Sequence, residues 1–177
     1  MSTLTTQKNH GYSLIEIIVY LAIFSVMSIV VIDSFLVVSK SFDATRANRD
    51  LLESGQISME RMSREISQAE SISASASTLG TNPGVLSLAS TDSSGNPITV
   101  EFIVENGSLN LYENGALVGP LTDPNISVDS LVFRRIVTAE GEAVKIEMTL
   151  TTLASPVVTH ADFYDTIVLQ GEYKLYW

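Results

Sequence analysis

The chain predicts an α+β fold in which one long N-terminal helix, apolar in its first half and amphipathic in its second, packs on an antiparallel β-sheet. Three observations carry this. Between Ser13 and Ser71 there is no proline, and the only glycine is Gly55. Near residue 98 the hydrophobic period changes from helical to two. Inside that alternating region stand two Asn-Gly steps, Asn106-Gly107 and Asn114-Gly115, each a strong hairpin signal because a type I′ turn needs positive φ at both positions.

The helix comes first. Residues 12–39 open with a run that is apolar or weakly polar apart from Glu16. About 20 such residues at 1.5 Å each cover about 30 Å, the thickness of a bilayer core. Residues 40–71 turn amphipathic. Phe35, Val38 and Phe42 form one stripe, and Met59, Met62, Ile66 and Ala69 form another at helical spacing, with Arg46, Arg49, Glu60, Arg61, Arg64 and Glu65 on other faces. The methionine stripe is expected to pack on a sheet. Gly55 is the one place where the helix is expected to soften.

Residues 72–177 read as a β-rich domain. The stretch from 71 to 97 is rich in Ser, Thr, Gly and Asn, hence loop, with a short strand over Val85 to Leu88. Ile98, Val100, Phe102 and Val104 then alternate with mostly polar positions, and the two Asn-Gly turns with Leu109, Leu111 and Leu117 complete a meander. A strand over Leu131 to Val137 and one over Val144 to Leu150 follow, joined by a turn at Glu140-Gly141. Ile167, Leu169, Gly171, Tyr173, Leu175 and Trp177 are expected to share one face of a long, docked final strand.

Composition narrows the function. The 177 residues carry a formal net charge of −10, so the overall field repels nucleic acid and anionic membrane, and no direct nucleic-acid binding is expected. Arg134 and Arg135 are adjacent, a pattern more usual on a solvated strand edge than in a binding patch. Without cysteine, disulfides and thiol catalysis are excluded. A secretory signal peptide fits poorly, since the apolar run is too long and ends in Val-Val-Ile-Asp without a small-x-small cleavage site. Lys8 before the run favours a cytoplasmic N-terminus.

Glu16 is the informative residue. Insertion scales place an acid at the centre of a membrane helix at roughly +2.5 to 3.5 kcal/mol. A carboxylate kept there generally has a partner, and the bland alternative is an acid near the interface that snorkels to headgroups. The order Gly11, Tyr12, Ser13, Leu14, Ile15, Glu16 at the head of an apolar helix resembles the N-terminus of type IV prepilins and type II secretion pseudopilins. The close resemblance covers residues 8 to about 40. It implies a pilin-like fold, with residues 1–11 a leader cut after Gly11 by prepilin peptidase and the new amine of Tyr12 methylated. It further implies that Glu16 pairs with the N-terminal amine of a neighbouring subunit as helices bundle into a filament. A pair neutralises the buried charge that a lone subunit still carries.

The implied partners are other pilin or pseudopilin subunits, prepilin peptidase, an inner-membrane assembly platform and membrane lipid. The implied place is the cytoplasmic membrane, single-pass, with the C-terminal domain on the far side, and then the filament. Many major pilins kink this helix with a proline near the outer end of the span; Asp33 occupies that region here, which suits a minor subunit. The machine stays open among type II secretion, a type IV pilus and a competence pseudopilus. The alternative is a single-pass anchored β-domain that binds a ligand or partner without polymerising.

Catalytic chemistry is not expected. His10 lies in the leader. His160 follows Pro156 in a loop, two residues before Asp162, with no G-x-S-x-G in the chain. One loop histidine is no zinc site, and Glu140 and Glu142 flank a glycine turn. No cofactor is expected. Calcium is the alternative, with Asp92, Asn96, Asp123 and Asn125 as oxygen donors, although the same residues are ordinary turn formers.

Overall fold

The computed structural model describes residues 13–138, 141–153 and 158–170. Among the described residues a single α-helix, α1 (Leu14–Gln68), is followed by eight strands: β1 (Ser71–Ile72), β2 (Leu86–Thr91), β3 (Pro97–Glu105), β4 (Ser108–Glu113), β5 (Ala116–Pro120), β6 (Ile126–Thr138), β7 (Gly141–Thr152) and β8 (His160–Val168). Every strand pairing between them is antiparallel. The expected α+β class is therefore what the chain adopts, with one correction. The described strands form two sheets instead of one, a five-stranded sheet in the order β1-β2-β3-β4-β5 and a three-stranded sheet in the order β6-β7-β8. The break follows β5, where Pro120 and Pro124 interrupt the chain and a central-strand ladder cannot continue.

Two units divide the chain, Met1–Phe42 and Asp43–Trp177. In the first, the described residues from Leu14 onward are helical, and every large apolar side chain from Leu14 to Phe42 is exposed. That is the pattern of a helix whose solvent is hydrocarbon. In the second unit, the closing turns of α1 bury Leu51, Met62 and Ile66 completely. They meet Phe102 and Leu109 of the first sheet and Phe133, Ile146 and Met148 of the second in one core. The methionine stripe faces this core as expected, with Met59 at its half-buried margin.

Gly55 does not soften the helix, which runs unbroken through it. Its role is close approach. A Cβ added there would lie 2.0 Å from the tip of the Phe163 ring on β8, so only glycine lets ring and helix meet. Nearby, Ser58 donates its hydroxyl to the Leu121 carbonyl at 3.0 Å, and the Asp123 amide donates to Ser54 Oγ at 3.2 Å. Ser63 donates to Asp165 Oδ2 at 2.8 Å. The small residues of α1 thus fasten it to the β5–β6 connection and to β8.

Both Asn-Gly turns form as read. Asn106 and Gly107 have φ of 52° and 78°, and Asn114 and Gly115 of 50° and 76°, the left-handed pair a type I′ hairpin requires. Other boundaries shift. The strand expected at Val85 to Leu88 runs from Leu86 to Thr91. The strand expected at Leu131 to Val137 begins at Ile126, because a bulge at Val128/Ser130 restores its register with β7. Among the described residues the last strand is His160–Val168, which takes in Ile167 of the expected final strand, and His160 opens it and is not in a loop. Leu169 is buried just beyond it. Glu140, Pro156, Gly171, Tyr173, Leu175 and Trp177 lie outside the described residues.

Candidate functional site

Ser13 is the last non-helical residue before α1. Its carbonyl accepts the amides of Glu16 at 3.0 Å and Ile17 at 3.2 Å. Glu16 is therefore the third residue of the helix, in the first turn, where unpaired amides and the helix dipole favour an acid. The spacing Ser13-x-x-Glu16 is also that of a capping box. Local physics thus offers this carboxylate a place before any partner arrives.

The side chain of Glu16 is held from the next turn of the helix. Tyr20, one turn on, donates its hydroxyl to Glu16 Oε1 at 3.1 Å. Sequence reasoning passed over Tyr20, although four-residue spacing on a helix was signal enough. Three serine hydroxyls of the apolar stretch bond to the backbone instead. Ser25, Ser28 and Ser34 each donate to the carbonyl four residues back, at 2.7, 2.8 and 2.8 Å. In lipid no water is available, so such internal bonds are how polar side chains are accommodated. The helix has the length and apolarity to cross a membrane, and none of its most apolar window is buried within the protein. Gly11 and Tyr12 lie outside the described residues.

The remaining candidates fall elsewhere. Asp92 and Asn96 occupy the β2–β3 turn. The Asn96 amide donates to Asp92 Oδ1 at 2.8 Å, its side chain to Oδ2 at 3.0 Å, and the Ser94 amide to Oδ1 at 2.8 Å. These bonds, the Asn96 amide first, hold the Asp92 carboxyl below its ordinary value of 3.8. Asp123 and Asn125 sit between β5 and β6, where the Asn125 amide donates to Asp123 Oδ1 at 2.9 Å. Both acids thus close turns. Among the described residues no three His, Cys, Asp or Glu side chains gather as a metal group would.

Arg134 and Arg135 form no joint patch. Arg134 Nε donates to Glu147 at 3.2 Å, Arg135 pairs with Glu142, and Lys145 reaches Glu147 at 2.8 Å. His160 and Asp162 share β8, and Asp162 accepts the Thr149 hydroxyl at 2.8 Å.

Searches of curated proteins and of solved structures returned no match. A family model described as the prokaryotic N-terminal methylation motif matches residues 6–32. The match spans Glu16 and the apolar start of α1, and one long helix with antiparallel sheets is consistent with a pilin-like fold. The chain carries the N-terminal methylation motif that is the signature of the type IV prepilin and pseudopilin family.

Proposed function

We propose that the chain is a minor pilin or minor pseudopilin, a structural subunit of a type IV pilus-like filament or a type II secretion pseudopilus. The observation that carries this is the methylation motif lying over the apolar start of α1, with Glu16 in the first turn. In this reading prepilin peptidase cuts after Gly11 and methylates the amine of Tyr12. The apolar helix holds the subunit in the cytoplasmic membrane, with the β-rich unit on the far side, until the assembly platform draws it into a filament. Glu16 then pairs with the amine of a neighbour. Nothing in the role requires catalysis. The minor assignment is supported by Asp33, which stands in an unbroken helix where many major subunits carry a proline.

The pairing gives assembly its direction. A carboxylate in hydrocarbon is unfavourable on its own and much less so beside a cation. Membrane storage is thus tolerable, and bundling relieves it. The test is made in the native host. Glu16→Leu should be processed and inserted but absent from sheared filaments, whereas Gly11→Leu should retain the leader. If Glu16→Leu enters filaments at native yield, assembly does not use this acid; if the native chain itself enters no filament, it is an anchored domain.

A further inference from the structure

Tyr20 lies four residues from Glu16 on α1, and its hydroxyl donates to Glu16 Oε1 at 3.1 Å. Three serines of the same stretch turn their hydroxyls to the backbone. Tyr20 cannot do this, because its hydroxyl stands at the far end of a rigid ring. It reaches the acid instead. The ring itself is 56 % exposed, so the fold of a single subunit does not require an aromatic here.

The bond engages one carboxylate oxygen. An ionised carboxylate has two oxygens and about four acceptor sites, so a phenol fixes the side chain without using it up. We propose that Tyr20 is a positioning residue for assembly. It holds the Glu16 carboxylate on the single subunit and presents the remaining oxygen to the cationic amine of the next subunit. The proposal rests on the filament reading of Glu16 and deepens it. An acid oriented beforehand loses less side-chain freedom when its partner arrives, and association is correspondingly tighter. The bland role for a tyrosine near a membrane surface is an interfacial anchor bonded to headgroups. That role does not depend on Glu16.

Tyr20→Phe separates the two, since it removes the hydroxyl and keeps the ring. In the native host, cleavage should be unchanged. Incorporation into filaments should fall about threefold, the size of an ordinary side-chain hydrogen bond within a membrane. A second readout uses the full chain in phosphatidylethanolamine–phosphatidylglycerol vesicles. The C–O stretching band of Tyr20 is isolated as the infrared difference between the native chain and Tyr20→Phe. It is then isolated again in a Glu16→Ala background. A band that moves between the two backgrounds places the phenol on the acid. Coincident bands, or Tyr20→Phe filaments at native yield, overturn the proposal. Failure of the filament reading looks different. A chain that keeps its leader and enters no filament removes that reading, while the infrared comparison still decides whether Tyr20 holds Glu16.

Discussion

One helix, two solvents. From Leu14 to Phe42, α1 exposes every large apolar side chain; from Leu51 to Ile66 it buries one face and exposes the rest. The backbone is the same continuous α-helix in both. What differs is the pattern of side chains, apolar all round in one stretch and striped in the other. The comparison teaches that the second stretch is specified by its own fold and the first by its surroundings. A substitution should therefore register as lost folding stability in one and as lost insertion or assembly in the other.

Equal truncations break or sharpen this contrast most strongly. Phe133 is fully buried, and Phe24 is 70 % exposed. Phe133→Ala should lower the unfolding free energy of the β-rich unit by about 3–5 kcal/mol. Phe24→Ala should change it by less than about 0.5 kcal/mol. Denaturant titration of the detergent-solubilised chain, followed by near-ultraviolet circular dichroism, reads both.

Gly55 comes next. In an exposed helix, Gly→Ala stabilises by about 1 kcal/mol. Here the new methyl meets the Phe163 ring, and overpacking should reverse the sign, destabilising by about 1–3 kcal/mol. In a Phe163→Ala background the same change should become neutral or stabilising. A Gly55→Ala chain as stable as the native one would show that the ring moves aside freely.

Ser58 buries its hydroxyl against the Leu121 carbonyl. Ser58→Ala should cost about 1 kcal/mol, whereas Ser28→Ala, which loses only a bond to its own helix, should leave the β-rich unit unchanged. The same titration measures both.

The smallest effect is electrostatic. Hydrogen bonds from Lys145 and then Arg134 hold the Glu147 carboxyl below its ordinary 4.5. A depressed carboxyl lends stability above its unfolded value and loses it as pH falls through its folded value. The acid limb of a stability–pH curve should therefore be shallower in Glu147→Gln. Arg134 is exposed and Lys145 and Glu147 are only half-buried, so the change should be small and diminish with salt.

Much of this was legible in the sequence because periodicity and turn chemistry are local. Met62 and Ile66 face the core, and both Asn-Gly steps turn as type I′ hairpins. What was not legible depended on residues far apart in the chain. Gly55 read as a weak point because nothing nearby in sequence announces a phenylalanine more than a hundred residues later. Two sheets read as one because alternation tells which face a strand buries, not which neighbour it pairs with. The β6 start was missed because its bulge interrupts the alternation. At the candidate site, Glu16 stood out by its cost in hydrocarbon, whereas Tyr20 looked like one more apolar residue until its hydroxyl was placed.

The most direct test of the central claim is the intact mass and N-terminal peptide of the protein purified from membranes of its own host. A chain beginning at N-methylated Tyr12 is the predicted result. A chain still beginning at Met1 or Ser2, in cells whose prepilin peptidase is active, would contradict it and leave an ordinary membrane anchor.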